Sequence, residues 1–167
     1  MRHRKPNRLK YYDYSNSGWY YVTICTKDHK NYFGEIEHEK MILNQIGIIV
    51  DDSWLKIEKL HQYVEIDNYV IMPNHIHGII IINDVVDANF ASTTDRTKME
   101  LSKLIQQFKR AVSLRIKAIK LNSNFKWQRS FYDRIIRNER ELYNIRKYIE
   151  QNPLKWELEK NIENINL

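Results

Sequence analysis

The chain of 167 residues carries 27 Lys and Arg against 21 Asp and Glu, a formal net charge of +6, and 43% of its residues are hydrophobic. This length suits one domain with its own core, and it excludes a large multidomain protein. A single cysteine excludes an internal disulfide and a cysteine-rich zinc site, so we expect a cytoplasmic protein. The basic N-terminus lacks the apolar core of a signal peptide. The longest apolar runs, of about five residues, fall far short of the roughly 20 that span a bilayer, so no membrane partner is expected.

The positive charge is concentrated in two segments. Residues 98–137 contain eleven Lys and Arg and two acidic residues, a net +9, and residues 1–10 contribute +5, which leaves a net −8 for the rest. Aromatic residues are interspersed in the longer segment, at Phe108, Phe125, Trp127, Phe131 and Tyr132. Basic side chains contact phosphates and aromatic rings stack on unpaired bases, so this combination indicates a nucleic acid as the partner.

The first half of the chain predicts a strand, a helix and a hairpin. Residues 19–26 are aromatic and β-branched throughout, which is typical of a strand. Residues 43–63 follow with apolar positions three and four apart, the period of an amphipathic helix. Residues 64–72 and 75–82 are two β-rich runs separated by a Pro-Asn turn pair, which predicts an antiparallel hairpin.

The second half predicts a helix, a strand and a last helix. After a polar loop at residues 83–98, a second amphipathic pattern predicts a helix over residues 101–119. Residues 125–136 predict a fourth strand, and the last helix begins at Asn138 and must end near Pro153. The order βαββαβ followed by a helix is that of a ferredoxin-like α+β domain, an antiparallel sheet with two helices on one face.

Two histidines begin the second strand of the hairpin. Side chains at i and i+2 of a strand project to the same side, so His75 and His77 could bind one metal ion. Ile76, Ile80 and Ile82 face the other way, toward the core. The alternative is two ordinary histidines beside a turn, because a His-x-His pattern is short and weakly specific by itself.

The last helix carries a second pair of polar side chains. Tyr148 and Asn152 are four residues apart and lie on one helix face, so a phenol and an amide oxygen can point at the same spot. Tyr143 lies about 140° around the helix from Tyr148 and is expected to face elsewhere. The alternatives are a core tyrosine at Tyr148 and a helix C-cap at Asn152 before Pro153.

Three stretches of the sequence resemble a known family. Residues 69–80, YVIMPNHIHGII, resemble the HUH motif (His, bulky hydrophobic, His) of the single-tyrosine transposases of the insertion sequence 200-like superfamily. Residues 127–137, WQRSFYDRIIR, and residues 148–155, YIEQNPLK, resemble its branch associated with repetitive extragenic palindromes (REP), the REP-associated tyrosine transposases. The resemblance runs over residues 19–156.

The resemblance implies a domain organisation and an activity. An HUH transposase domain at residues 19–156 follows a basic N-terminal arm at residues 1–18 and precedes a short tail at residues 157–167. The family's fold is ferredoxin-like, with the HUH strand central and the nucleophilic tyrosine on a C-terminal helix. Its members are DNA endonucleases and transposases, which cleave and rejoin single-stranded hairpin DNA of the REP type through a 5′-phosphotyrosine link.

The resemblance also implies roles for four residues. His75 and His77 match the two metal-ligating imidazoles, and Tyr148 matches the nucleophile. Asn152 matches the third metal ligand, where some relatives carry Gln. The implied cofactor is Mg²⁺ or Mn²⁺, and no small-molecule substrate is implied. A monomer is favoured over a dimer.

The DNA contacts are expected in the basic segment. The candidate phosphate contacts are Lys103, Lys109, Arg110, Arg129, Arg134 and Arg137. Trp127, Phe131 and Tyr132 could stack on bases, the alternative being packing at the edge of the sheet. Two other functions stay open at this stage: a replication-initiator or relaxase type of nickase, and a non-catalytic nucleic-acid-binding module on a ferredoxin-like sheet.

Overall fold

The computed structural model describes residues 17–83, 101–121 and 124–165. The basic arm up to residue 16, and the loop predicted at residues 83–98 apart from Asn83, lie outside the described residues. A short 3₁₀ turn at Lys27–His29 follows the first strand. The elements in chain order are β1 (Gly18–Cys25), β2 (Gly34–Glu37), β3 (Lys40–Leu43), α1 (Gln45–Leu60), β4 (Val64–Met72), β5 (His75–Ile82), α2 (Leu101–Ala118), β6 (Tyr132–Ile136) and α3 (Glu139–Ile165).

The main sheet is antiparallel and has the strand order β4-β5-β1-β6. Strand β5 pairs with β4 on one side and with β1 on the other, so the strand that begins with the histidines is central. Together with α1 and α2 this is the βαββαβ order of a ferredoxin-like domain, and the predicted α+β fold is confirmed. The small β2–β3 hairpin is an insertion that the sequence analysis missed.

Both amphipathic helices form where the apolar periodicity predicts them. Helix α1 begins after Asn44, whose side-chain oxygen accepts hydrogen bonds from the backbone N–H groups of Ile46 and Gly47. This is an N-cap that satisfies two otherwise unpaired donors. Its buried residues recur three and four apart, at Ile46, Ile49, Val50, Ser53, Trp54 and Ile57.

The sheet separates two apolar clusters. Ile76, Ile80 and Ile82 of β5 belong to the larger cluster, which contains the buried faces of α1 and α2. Ile79 and Ile81 belong to the smaller one, which is completed by α3. Because successive side chains of a strand point to opposite faces, the two histidines of β5 share the α3 face with Ile79 and Ile81.

The predicted end of the last helix is wrong. Helix α3 passes through Pro153 and runs to Ile165. A proline inside a helix removes one backbone hydrogen bond, to the carbonyl four residues earlier. The face that carries Ile145 and Ile149 is held on the sheet by apolar packing, which outweighs that loss. Asn152 therefore lies inside the helix, and the alternative of a C-cap at this position is also wrong.

The fourth strand is shorter than predicted, because β6 begins only at Tyr132. In the preceding segment Trp127 forms an isolated bridge with Thr26 and packs its ring against the main core. The ammonium group of Lys109 donates hydrogen bonds to the carbonyls of Gln128 and Ser130. These carbonyls therefore point at α2 instead of at a neighbouring strand.

No helix in the described part of the chain is long and apolar enough to cross a membrane.

Candidate active site

The two histidines of β5 converge on one point. The Nε2 atoms of His75 and His77 lie 3.0 Å apart, and the ring planes are inclined at 75°. His77 is 6% exposed and His75 is partly buried. Two ligand atoms bound at about 2.1 Å and at a right angle around one ion are about 3 Å apart. The spacing therefore fits a shared divalent cation.

A hydrogen bond from the turn before β5 determines the tautomer of His75. Its Nδ1 lies 2.6 Å from Oδ1 of Asn74, and the amide nitrogen of Asn74 donates to the carbonyl of His29 at 2.9 Å. An amide oxygen can only accept, so Nδ1 of His75 carries the hydrogen and Nε2 keeps its lone pair. This is the arrangement in which an outer partner orients a metal-ligating imidazole.

Two hydroxyl groups of β1 surround the other histidine. Nδ1 of His77 lies 2.7 Å from the phenol oxygen of Tyr21 and 2.9 Å from Oγ1 of Thr23, which is its partner in the strand register. The ring of Tyr21 also stacks on that of His77, with centroids 5.6 Å apart. Burial raises the pKa of Tyr21 to about 12, so its phenol stays protonated.

The sequence analysis missed Tyr21, Thr23 and Asn74. The signal for the first two was available in part: residues two apart on β1 share a face, as the histidines do on β5. What the sequence lacks is the strand register that places this pair beside His77.

Both imidazoles are neutral near pH 7. Burial, with a smaller contribution from the charge of His29, lowers the pKa of His75 to about 4. Burial and the neighbouring His75 lower the pKa of His77 to about 3. Neutral imidazoles can donate lone pairs to a metal ion, which protonated ones cannot.

Tyr148 lies on α3 against His77 and Tyr21. Its ring centroid is 5.3 Å from that of His77 and 6.4 Å from that of Tyr21, and both contacts are edge-on. The side chain is 40% exposed, so a substrate in solution can reach it. The ammonium group of Lys155 lies 4.9 Å from the centre of the Tyr148 ring. The sequence analysis missed Lys155, although a spacing of seven residues places two side chains on one helix face.

Asn152 lies between two side chains that contact the histidines. Four residues before it, Tyr148 contacts His77, and four residues after it, the Trp156 ring lies 5.9 Å from that of His75. Asn152 is 7% exposed, and its amide nitrogen is buried with no hydrogen-bond partner among the described residues. An unpaired buried amide is costly, and the oxygen and nitrogen ends of an amide exchange by a half-turn.

The predicted ligands are two imidazoles and one amide, and their binding of a metal ion stays a prediction. No group of three His, Cys, Asp or Glu that could hold a metal ion is present in the residues that the structure describes. Besides the two imidazoles, the candidate protein ligand is the buried amide of Asn152, which lies on the helix between the two residues that contact the histidines. Tyr143 is 64% exposed and faces away, as predicted.

The predicted DNA contacts on α2 lie on the opposite face of the sheet from the histidines. Lys103 and Arg110 are exposed there. Lys109 is partly buried, and burial lowers its pKa to about 8. Trp127 packs against the rings of three neighbours and donates its indole N–H to the carbonyl of Lys109. The ring neighbours of Trp127 are Phe33, Phe108 and Phe125. The structure does not bring this group to Tyr148, and its contact with DNA stays a prediction.

The predicted contacts on β6 share the face of the site. Tyr132 pairs in register with Thr23, and Arg134 pairs with Tyr21. Tyr132 is 56% exposed, and Arg137 is exposed just after the strand. Arg129 is exposed in the segment before β6. Tyr132 and Arg134 therefore lie on the same side of the sheet as the histidines, with β1 between them. Contact of these four residues with DNA stays a prediction.

No family model matches the chain, whereas relatives are found both among known sequences and among solved structures. An uncharacterized protein of Haemophilus influenzae is 36% identical over 168 residues, covering 94% of this chain and 92% of that protein. A solved structure of a REP-associated tyrosine transposase bound to a REP hairpin superposes with a TM-score of 0.60 at 20% identity, covering 89% of this chain and 74% of that one. The chain therefore belongs to the family of the Haemophilus influenzae protein, and its fold is that of the REP-associated tyrosine transposases.

Proposed function

We propose that this protein is a metal-dependent DNA strand transferase, a transposase of the REP-associated type that acts on single-stranded hairpin DNA. One observation carries the proposal: the exposed phenol of Tyr148 contacts His77, one of two neutral imidazoles whose Nε2 atoms are 3.0 Å apart. The relative of known structure was solved with a REP hairpin bound, which supports hairpin DNA as the substrate.

The reaction is a transesterification at phosphorus. The phenol oxygen of Tyr148 attacks a phosphodiester, and a bond between that oxygen and phosphorus forms as the bond to the 3′ oxygen breaks. The phenol loses its proton, and the departing 3′ oxygen takes one to become a 3′-OH. The 5′ phosphate stays on the tyrosine until a 3′-OH attacks it in the reverse sense. Because the number of phosphoester bonds is conserved, the reaction needs no ATP.

The metal ligands in this proposal are Nε2 of His75, Nε2 of His77 and the amide oxygen of Asn152. Bound Mg²⁺ or Mn²⁺ would offset the negative charge that develops on the phosphate oxygens. Tyr21 and Thr23 hold His77 in orientation through its Nδ1.

Two further side chains contribute: Asn74 orients His75, and Lys155 lies where the substrate phosphate must bind. Asn74 holds His75 in the tautomer that leaves Nε2 free. Lys155 supplies a positive charge beside the phenol, where the phosphate must arrive.

A covalent adduct tests the nucleophile. We expect the protein to form a denaturation-resistant link to a single-stranded hairpin oligonucleotide in the presence of Mn²⁺, with the DNA mapped to Tyr148 by mass spectrometry. Tyr148→Phe should form none and should bind the same DNA with unchanged affinity. Tyr143→Phe is the matched control, since it removes an exposed phenol from the same helix, and it should react like the wild type.

The metal ligands are tested by the same reaction. His75→Ala and His77→Ala should abolish the adduct and should weaken DNA binding far less, and a chelator should do the same to the wild type. Asn152→Ala should reduce the adduct, because one of three ligands is lost. The proposal fails if Tyr148→Phe still forms the adduct, or if the wild type forms none on a randomised library of hairpins.

A further inference from the structure

A groove lies on the same face of the sheet, where β1, β6 and the start of α3 meet. One part is a cavity of about 300 Å³ with an aromatic wall, an aliphatic floor and a polar rim. Its lining residues are Trp19, Ile136, Leu142, Arg137, Asn138 and Glu139. The other part, of about 410 Å³, is lined by three arginines, Arg134, Arg137 and Arg140. Arg137 and Asn138 line both cavities, so the two are adjacent.

The first cavity has the chemistry of a base-binding slot. Trp19 is 36% exposed, whereas Ile136 and Leu142 are 8% and 9% exposed. An accessible indole beside an aliphatic floor offers a flat base a surface on which to stack. The carboxylate of Glu139 on the rim can accept a hydrogen bond from an exocyclic amine of a base.

The second cavity has the chemistry of a phosphate site. Arg137 and Arg140 are exposed, and a guanidinium group binds a phosphate through two parallel hydrogen bonds. Glu141 forms an ion pair with Arg134 and accepts a hydrogen bond from the backbone N–H of Arg137, so it partly offsets the positive charge and holds the backbone in place. Asn138 caps α3 by accepting a hydrogen bond from the backbone N–H of Glu141.

The groove leads to the nucleophile. Ile145 lines its basic part and lies one helical turn before Tyr148. Arg134 is in register with Tyr21, whose ring contacts that of Tyr148. Arg140 and Tyr148 are eight positions apart, which corresponds to about 12 Å along the helix axis. A stacked nucleotide advances about 3.4 Å and an extended one about twice that, so roughly two to four nucleotides bridge this length.

We propose that this groove binds one nucleotide of the single-stranded DNA flank, with its base stacked on Trp19 and its phosphate on Arg137 and Arg140. By holding that nucleotide, the groove selects which phosphodiester reaches Tyr148. Glu139 favours bases with an exocyclic amine, which are adenine, cytosine and guanine, over thymine. The inference rests on the proposed function, because it is the strand to be cleaved that must run from the groove to Tyr148.

The test is a scan with abasic nucleotides in protein that carries Tyr148→Phe and so cannot react. The probe is a fluorescent DNA hairpin with a randomised single-stranded flank, in which each flank position is made abasic in turn. We expect one position, two to four nucleotides from the scissile phosphate, to raise the Kd about tenfold when it is abasic. Adding Trp19→Ala should raise the Kd of the intact probe by a similar factor and should remove the sensitivity to that position.

Matched variants separate the groove from general effects. Tyr143→Ala removes another exposed aromatic ring and should leave the Kd unchanged. Arg140→Gln should raise the Kd several-fold, whereas Lys59→Gln, an exposed basic residue of α1 behind the sheet, should not. Trp19→Phe keeps an aromatic ring that can stack, so it should retain the rise in Kd at that one abasic position. This variant keeps the test valid if Trp19→Ala does not fold.

The groove and the proposed function can fail separately. The groove proposal is refuted if adding Trp19→Ala to the Tyr148→Phe protein leaves the Kd of every probe unchanged. It is also refuted if Trp19→Ala raises the Kd of all probes equally and the sensitivity to one abasic position remains. If either result is found while the wild type still forms the covalent adduct with DNA, the groove proposal fails and the transferase proposal stands. If the position effect is found and no DNA gives an adduct, the groove stands and the transferase proposal falls.

Discussion

The ammonium group of Lys155 lies 4.9 Å from the centre of the Tyr148 ring, so a positive charge stands beside the candidate nucleophile. The two residues are seven apart on α3, on the face that also carries Asn152 and contacts both histidines. This face therefore carries the candidate nucleophile, a candidate metal ligand and a cation.

Replacing this cation should slow the reaction more than it weakens binding. We expect Lys155→Gln to reduce the rate of adduct formation about tenfold, or about 1.4 kcal/mol, because the charge acts at the phosphate under attack. Lys155→Arg should recover most of the rate. Lys160→Gln, an exposed position farther along α3, is the control, and equal rates for Lys155→Gln and Lys160→Gln would contradict the role of Lys155.

Removing the phenol oxygen of Tyr21 should weaken metal binding. Tyr21→Phe keeps the ring that stacks on His77 and deletes the hydroxyl 2.7 Å from Nδ1. Outer-shell partners of this kind are worth about 10- to 100-fold in metal affinity. Because Thr23 offers a second hydroxyl, we expect Tyr21→Phe to lower the metal affinity only about tenfold. The double variant Tyr21→Phe/Thr23→Val should lose more affinity. Calorimetry with Mn²⁺ alone measures this, and Tyr143→Phe should show no change.

Adding one methyl group at Gly78 should destabilise the fold. A Cβ at this position would lie 2.5 Å from Cζ2 of Trp54, a residue with no exposed surface. Overpacking of a filled core costs about 1–3 kcal/mol, so the free energy of unfolding in urea should fall by that amount for Gly78→Ala. Gly18→Ala is the control, because its Cβ would find its nearest atom at 3.4 Å. Equal stability of the two variants would show that Trp54 can shift.

Lys109 should make folding stability depend on pH in the alkaline range. Burial lowers its pKa from 10.5 to about 8, so between these values the unfolded chain holds a proton that the folded chain does not. The corresponding part of the stability is fully present above about pH 10.5 and is lost as the pH falls to about 8. Lys109→Met should therefore flatten the rise of unfolding free energy over this window. The exposed Lys103→Met should keep the wild-type slope, and a wild-type slope in Lys109→Met would refute the effect.

Much of the candidate site could be predicted from local periodicity. A strand places His75 and His77 on one side, and a helix places Tyr148 and Asn152 on one face, whatever surrounds them. Pro153 shows where prediction from local sequence fails. Proline disfavours a helix interior and so predicts a helix end, whereas apolar packing of α3 on the sheet stabilises a helix that continues beyond Pro153.

The basic segment at residues 98–137 also shows what the sequence can predict and what depends on the tertiary structure. Charge and aromatic content indicate a DNA partner, and they do not distinguish the residues on α2 from those on β6. The structure places Lys109 on two backbone carbonyls behind the sheet, whereas it places Arg134 beside Tyr21 on the face of the site. A count of charges cannot separate these cases, because they differ only in which face of the sheet each side chain occupies.

The sequence by itself determined the directions of side chains within each element, and through the motifs it indicated the family's fold and chemistry. Only the tertiary structure decided that α3 packs on the sheet so that Tyr148 contacts His77, that Tyr21 and Thr23 bind Nδ1 of that histidine, and that Lys155 lies beside the Tyr148 ring. The physical reason is that directions within an element follow from backbone geometry over a few residues. Distances between elements instead depend on strand register and on apolar packing between residues far apart in the chain.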